Sequence, residues 1–551
     1  MKNKNSSKTY VSYNGIIKEL TETYISSNLF AGNIAKPEVL ADELLELIQN
    51  RIELENAVIP ERCRKLKIPK CLENMSIAEL ILAFYPVKRI SWTDSDRESN
   101  NLLCIYQTEG ENRGLYISHK TAFANLIRRF NYCISDKNIG EIMSILSERA
   151  PLCSVTDNPD LVAVNNGIFD YRSKQLLDFS PDYVFTSKSK VNYNSQATNV
   201  TIHNPDDGTN WDVETWFESL SDNPEIIELL WQVAGAVIRP HVSWNKVVCF
   251  YSEIGNNGKG TLCELLRQLC GNSVAISFEQ FEKDFLLEQL IGSNAVIGDE
   301  NNTSAYLRSS EVLKSIITGD CLTINGKFKK PVTFRFQGLM VQCVNNLPKF
   351  SDKSESLTRR LLMVPFEKCF TGRERKYIKA DYLKRPEVLE YVMYKVLHTS
   401  YYSFDEPQTC KDLVNEYKQF NDPVRQFLED MLPELIWDLV PFRFLYELYK
   451  SWFKRNNPSG QVQGRNTFIK DIKQLMLNDS DWQILDSPYP RGNRMDKPEP
   501  LIVEYDLGSE WRNPSYHGSD IDKICTPCAK ASYRGLLRTG TSVNPVNQNT
   551  T

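Results

Sequence analysis

The chain has 551 residues, with 65 basic against 70 acidic side chains and a formal net charge of −5. Its 41% hydrophobic, 25% charged and 11% aromatic content excludes wholesale disorder, and 25 Gly with 26 Pro exclude a collagenous or low-complexity chain. This length predicts two to four domains, and the slightly acidic balance argues mildly against a molecule coated by nucleic acid or by an anionic membrane.

No membrane partner is expected: the apolar run through Leu229, Leu230, Trp231, Val233 and Ile238 is roughly half of what a bilayer helix needs. The N-terminal MKNKNSSKTY has no apolar stretch behind it, so no secretory signal is expected. The 14 cysteines are scattered and mostly in apolar surroundings, as reduced core thiols are, which points to a cytoplasmic compartment.

In chain order, residues 1–100 read as a helical region of unknown role, with Leu40, Leu44, Leu45 and Ile48 on one face. Residues 101–195 read as a mixed α+β domain. It holds strand-like LLCIYQ and GLYIS, and a hairpin in LVAVNNGIFDYRSKQLLDF with turns at Asn165–Gly167 and Arg172–Lys174. The stretch from Asn192 to Asn210, rich in Asn, Asp, Thr and Gly, reads as a linker. Residues 211–400 alternate helices such as PEIIELLWQVAGAVIRP with apolar strands such as KVVCFY, which predicts an α/β domain. Helical periodicity returns in FRFLYELYKSWFKR within residues 420–505. Residues 529–551 read as a flexible tail, and Cys525 and Cys528 in CTPC read as part of a plain tail rather than a zinc site.

The sharpest motif is Gly255-Asn256-Asn257-Gly258-Lys259-Gly260-Thr261, directly after the KVVCFY strand and directly before the helix-like TLCELLRQLC. A bound triphosphate needs closely approaching backbone N–H groups, a lysine for its terminal charge and a helix N-terminus aimed at it. Gly255, Asn257, Gly258 and Gly260 suit the first need, Lys259 the second and Thr261 the third. The full Walker A pattern has Gly at position 253 and a hydroxyl at 260; here Glu253 and Gly260 stand there, and the hydroxyl follows one place later. Downstream, Asn294-Ala295-Val296-Ile297-Gly298 is a short apolar strand ending in Asp299, suited to magnesium, and Glu300, suited to orienting water. A third apolar strand ends at Asn345, whose amide suits a γ-phosphate or attacking water. Arg359 and Arg360 then precede the strand LLMVPF, and such a pair suits an arginine finger acting on a neighbour's nucleotide.

The order GNNGKGT, AVIGDEN, VNNLP, TRRLLMVPF resembles superfamily 3 helicases of phages, plasmids and poxviruses, a branch of the AAA+ ATPases. VNNGIFDYRSKQLLDFSPDYVFTSKSKVNYN resembles the domain that precedes the core of primase-helicases, and DPVRQFLED with VPFRFLYELYKSWFKRNNPSG resembles the C-terminal winged-helix region. The resemblance covers roughly residues 130–480. It implies a multidomain α/β protein with an AAA+-type P-loop ATPase core, a mixed α+β N-terminal region and a winged-helix-like C-terminal domain. It implies ATP and Mg2+ held by Lys259, Thr261 and Asp299, catalysis by Glu300 and the sensor Asn345, and a finger at Arg359 or Arg360. Family members assemble as rings, usually hexamers.

In the family, a hairpin between Walker B and the sensor strand grips one strand's phosphates. Here Lys327, Phe328, Lys329 and Lys330 follow the Asn325-Gly326 turn signal and suit a charged track with a stacking face. Residues 446–473 carry six basic and two acidic side chains, and Arg465 and Lys470 there suit contact with duplex DNA. Asp94, Asp96 and His119 are too poorly framed to read as a primase site. The expectation is an ATP-dependent DNA helicase of a phage, plasmid or mobile element, in host cytoplasm if viral, with single-stranded and forked DNA, its own copies and other replication proteins as partners. Two alternatives stand beside it: an origin-binding initiator ATPase without processive unwinding, and a primase-helicase with a cryptic N-terminal site.

Overall fold

The computed structural model describes residues 12–31, 35–61, 63–91, 101–299, 301, 306–307, 310–324, 332–345, 349–350, 355–456, 458, 462–477, 479–524 and 530–539. Two compact units divide at Lys411 and Asp412.

The first unit opens with three helices, α1 (Tyr13–Ala31), α2 (Pro37–Val58) and α3 (Asn74–Phe84). A four-stranded sheet follows, built from β1 (Val87–Ser91), β2 (Asn101–Tyr106), β3 (Tyr116–Ile117) and β4 (Leu152–Ser154) in the order β3-β2-β1-β4. Helices α4 (Lys120–Phe130) and α5 (Asp136–Arg149) lie between β3 and β4 in the chain. Leu40, Leu44 and Ile48 of α2 are buried in one core with Ile81, Phe123, Ile127, Ile142, Val87 and Ile105. The division expected at residue 100 therefore falls inside a single packed body. The helices cover their apolar faces with the sheet that follows them, which helical periodicity by itself does not reveal.

Three antiparallel strands come next: β5 (Leu161–Val164), β6 (Gly167–Asp170) and β7 (Gln175–Leu177). The sequence predicts one hairpin here. A third strand forms because the second turn, with Lys174 at φ 58°, returns Gln175 opposite Asp170. The Tyr171 ring is flanked by two cations, Lys174 Nζ at 3.4 Å and Arg239 Cζ at 3.5 Å from its centroid. Burial, with the charge of Arg239, pulls the Lys174 ammonium down to about 8.

The expected linker is not loose chain. Strands β8 (Ile202–His203) and β9 (Asn210–Trp211) pair within it, and Val191, Tyr193, Ile202 and Trp211 are buried in the central core. Its polar residues serve turn chemistry: the Asn204 and Asp207 carboxamide and carboxylate oxygens each accept a backbone N–H two residues on, at 2.9 Å. Sparse large apolar anchors between such turns are enough to pin the segment.

After α6 (Val213–Glu218) and α7 (Pro224–Ala236), the chain enters a five-stranded parallel sheet. It contains β10 (Val247–Tyr251), then helix α8 (Lys259–Cys270), β11 (Ser273–Val274) and β12 (Ala295–Gly298). Strands β13 (Tyr306–Leu307), β14 (Cys321–Ile324) and β15 (Val332–Arg335), with helix α9 (Glu311–Thr318), precede β16 (Leu339–Val344). Then come β17 (Lys349–Phe350), α10 (Glu355–Thr358), β18 (Leu361–Pro365), α11 (Lys376–Ala380) and α12 (Pro386–Leu397). The order is β11-β12-β16-β10-β18. Every residue of β12 and β16 is buried, as the continuous apolar runs of a doubly covered parallel sheet require. No described helix is long and apolar enough to cross a membrane.

The division between units falls within α13 (Gln408–Asn421). The second unit runs α14 (Pro423–Met431), β19 (Leu439–Pro441), α15 (Phe442–Asn456), α16 (Arg465–Leu475), β20 (Trp482–Pro490), α17 (Leu501–Glu504) and β21 (Ser532–Arg538). Its antiparallel sheet has the order β19-β21-β20. Residues 532–538, expected in a flexible tail beyond a domain ending at 505, instead form its central strand, because Leu536 and Leu537 are buried in the core with Trp437, Phe444, Tyr449, Trp452, Phe468 and Trp511. Glu499 is buried there and accepts the backbone N–H groups of Ile436 at 2.8 Å and Trp437 at 3.2 Å.

Burial pushes the Glu499 carboxyl up from its ordinary value, although those N–H groups pull the other way. A carboxyl raised in the folded state contributes stability that is complete below its unfolded pKa and is lost as pH rises through the folded one. Glu499→Gln should therefore melt at or above the wild-type temperature at neutral pH, its advantage growing as pH rises. Glu499→Leu, which strands both N–H groups, should lose about 1–3 kcal/mol. Calorimetry across acid to neutral pH checks both.

Candidate functional site

The turn between β10 and α8 is shaped by two left-handed residues, Asn256 at φ 53° and Gly258 at φ 89°. Gly258 is the N-cap of α8, and a Cβ there would stand 2.8 Å from Leu220 Cδ2. Only glycine meets both conditions. Asn256 is tied to the segment after β18: its amide donates to Thr371 Oγ1 at 3.2 Å and Glu374 Oε1 at 3.1 Å, and its carbonyl accepts from Phe370 N at 2.8 Å. Asn257 is buried, donating to the Ile254 carbonyl and accepting from Lys259 N at 3.3 Å.

Lys259 is 7% exposed. Its ammonium donates to the carbonyls of Ser252 and Val344, each at 3.2 Å, and to Asn345 Oδ1 at 2.8 Å. All three acceptors are neutral, and no carboxylate pairs with it among the described residues. Burial lowers its pKa. The contact with Asn345 follows from strand order: β16 is the direct parallel neighbour of β10, so its tip stands beside the turn.

Asp299 follows β12, which pairs with β16 on the side away from β10. Its side chain is 40% exposed and accepts from Arg267 Nη2 of α8 at 2.6 Å. The structure thus brings Lys259, Asn345 and Asp299 to the C-terminal ends of three adjacent strands. Glu300 lies outside the described residues.

Beside the turn is a cleft of about 600 Å3, whose lining includes Trp211, Trp216, Leu220, Gly258, Thr261 and Phe370. Arg373, Arg375, Lys376 and Lys379 also line it, and Lys379 Nζ lies 3.7 Å from where a Cβ on Gly260 would stand. Sequence reasoning missed these basic residues and both tryptophans. The run RERKYIK at 373–379 was the available signal for the former. The exposed Gly255 completes the turn.

Arg359 and Arg360 are not brought to this edge. The Arg360 carbonyl accepts Val247 N at 2.8 Å, at the start of β10, so the pair sits at the opposite end of the sheet. The strand separates the two ends by roughly 13 Å. Arg360 is half-buried and donates to Ser356 Oγ at 3.1 Å, whereas Arg359 is exposed.

Strands β14 and β15 pair antiparallel, their register ending at Ile324 opposite Val332. The basic segment expected between them, with Lys327, Phe328, Lys329 and Lys330, lies outside the described residues, as do Asp94, Asp96, Cys525 and Cys528. His119 is exposed, at the N-cap of α4. In the second unit, Arg465 and Lys470 are exposed on α16. Arg465 lines a groove of about 480 Å3 with Arg443, Lys473, Lys530 and Arg534. Asp486 and Glu510, also in that groove, pair with Lys473 and Arg443. Lys470 is not among its lining residues.

Three family descriptions match successive parts of the chain: "D5 N terminal like" over residues 85–230, a family of unknown function (DUF5906) over 250–360, and "Poxvirus D5 protein-like" over 419–492. Over residues 85–230 and 419–492 the chain is similar to the D5-like family of phage and poxvirus primase-helicases. This is a family of replication-associated enzymes. In this D5-like chain, the segment matching DUF5906 holds the turn, Asp299, Asn345 and both arginines together. Among solved structures, the chain is similar to the A form apo structure of the NrS-1 C-terminal region, at 13% identity over 79% of this chain and 90% of that one, TM-score 0.41. A second A form apo structure of that region, residues 305–718, matches at 12% identity over 79% and 91%, TM-score 0.42. No curated protein matches.

Gly258→Ala should distort the turn of this D5-like protein, because the new Cβ meets both a left-handed backbone and Leu220. The expected cost is about 1–3 kcal/mol, read as a fall in melting temperature, while Gly255→Ala, which meets nothing within 4 Å, should change little.

Proposed function

We propose that this chain is an ATP-driven DNA helicase, working as a ring of identical subunits in replication. The observation that carries the reading is the Lys259 ammonium, buried among neutral oxygens with no carboxylate partner among the described residues. An uncompensated buried charge is costly, and a polyphosphate entering at the N-terminus of α8 supplies the missing anion. The residues present fit that ligand. Gly258 and Gly260 offer backbone N–H groups without side chains in the way, and Thr261 is half-buried at the cleft. Trp211, Trp216 and Phe370 offer apolar surface for a base, while Lys376 and Lys379 stand ready for phosphate or ribose oxygens.

Thr261 and Asp299 are the residues that would hold magnesium, which when bound neutralises charge on the terminal phosphates. Glu300 orients the attacking water as general base. Asn345 links the Lys259 ammonium to the site of transfer, so a change at the phosphate is felt at the tip of β16. Arg359, exposed at the far end of the sheet, serves a neighbouring subunit's nucleotide, and Arg360 holds the local turn through Ser356. The strand order, with β16 between the Lys259 strand and the Asp299 strand, supports an AAA+-type core. The order α14-β19-α15-α16-β20-β21 supports a winged-helix-like module whose basic groove rests on duplex DNA. Lys327, Phe328, Lys329 and Lys330 would grip the translocating strand.

The test is strand displacement on a forked substrate. Lys259→Ala and Arg359→Ala should each lower ATP hydrolysis, the latter about 10³-fold or more. Mixed in equal amounts, the two inactive variants should regain hydrolysis, because one contributes an intact Lys259 and the other an intact Arg359 to a shared site. If mixing restores nothing, the finger does not act between subunits. Hydrolysis by the wild type without any strand displacement would overturn the helicase reading.

A further inference from the structure

Two thiols stand behind the nucleotide edge of the sheet, and the reading above gives them no role. Cys263 Sγ and Cys343 Sγ are 3.3 Å apart, and both side chains are buried. Cys263 lies four residues after Lys259 on α8, hence on the same helix face. Cys343 lies two residues before Asn345 on β16. Asp299, at the end of neighbouring β12, joins them: one carboxylate oxygen and the two sulfurs all lie within 4.8 Å of one another. Among the described residues these are the one such grouping.

Two packed thiols alone would be ordinary core. The third ligand changes their chemistry, because Asp299 sets a partly exposed carboxylate beside the two buried sulfurs. Arg267, on the same helix as Cys263, donates to Asp299 Oδ2 at 2.6 Å and so holds the carboxylate in place. Ligand atoms around a tetrahedral zinc stand about 3.3–3.8 Å apart, so the sulfurs need open by only about 0.5 Å.

We propose that Cys263, Cys343 and Asp299 form an inhibitory site for a thiophilic divalent cation such as Zn2+, with the fourth position left to water or phosphate. Binding replaces two thiol protons, which pass to solvent, and involves no change of oxidation state: one cation and two thiols give two metal-bound thiolates and two protons. Thiolates select zinc-like cations, whereas magnesium takes oxygen ligands alone. Asp299 cannot serve both, so a cation held by the sulfurs takes away the carboxylate that the nucleotide's magnesium needs. The metal site stands on geometry; its inhibitory effect rests on the proposed nucleotide site.

The probe is Co2+, added to the full-length reduced protein carrying Cys525→Ser and Cys528→Ser, so that the C-terminal pair contributes nothing. The expected result is one Co2+ per chain with thiolate-to-metal charge-transfer absorption. Cys343→Val and Cys263→Ala should abolish that absorption, and Cys410→Ala, at another buried thiol, should keep it. If the core variants melt early, Asp299→Asn at its partly exposed position must still weaken Co2+ binding. No charge-transfer absorption, or absorption that survives both Cys263→Ala and Cys343→Val, overturns the site. Zn2+ at about ten times its Kd should displace Co2+ and weaken Mg–ATP binding about ten-fold. Undiminished Mg–ATP binding refutes inhibition, and Co2+ binding in a protein that binds no nucleotide supports the metal site while refuting the nucleotide reading.

Discussion

The C-terminal edge of the parallel sheet is organised around one buried cation, Lys259. The Lys259 ammonium is removed from water, yet its partners among the described residues are two carbonyl oxygens and one amide oxygen rather than a carboxylate. Such a charge is tolerable only if the turn, the tip of β16 and the start of α8 all converge on it. That requirement accounts for the left-handed glycine at the helix start, for the Asn256 ties to the segment after β18, and for the placement of β16 next to β10. A lysine paired to a carboxylate would have been content as core. Held among neutral dipoles, it remains available to an anion.

The parallel sheet then sorts the remaining chemistry by end. Asp299 and Asn345 share the Lys259 end, while Arg359 and Arg360 stand at the other, beside the start of β10. A strand is too long for an arginine side chain at one end to serve the other, so the proposed finger has work only in an assembly. The charge distribution follows the same logic. A net charge of −5 conceals local concentrations of positive charge, in Arg373–Lys379 at the cleft and in the Arg443, Arg465, Arg534 groove of the second unit. Total charge does not describe these local fields, because electrostatic attraction is set within a Debye length of the contact.

Much of the fold was legible because apolar period and turn chemistry are local. The α2 stripe, the KVVCFY and GLMVQCV runs and the Gly-rich turn appear where the sequence puts them. The errors have a common cause. Residues 192–210 look like linker by composition, and the helices before residue 84 look separate from the sheet that follows. Both are instead packed, through a few large residues such as Tyr193, Trp211, Leu44 and Ile81, against partners distant in sequence. The basic run 373–379 was plain in sequence but had no motif to attach it to the turn.

Residue types and spacing by themselves determined the order of the elements, the turn with its lysine, and the carboxylate and amide at strand ends. These depend on interactions within a few residues. Strand order is different, since it is decided by which apolar surfaces bury one another across long separations. Only the tertiary structure put β16 between β10 and β12, joined Asn345 to Lys259, sent Arg359 and Arg360 to the opposite edge, and set Cys263 against Cys343 beside Asp299.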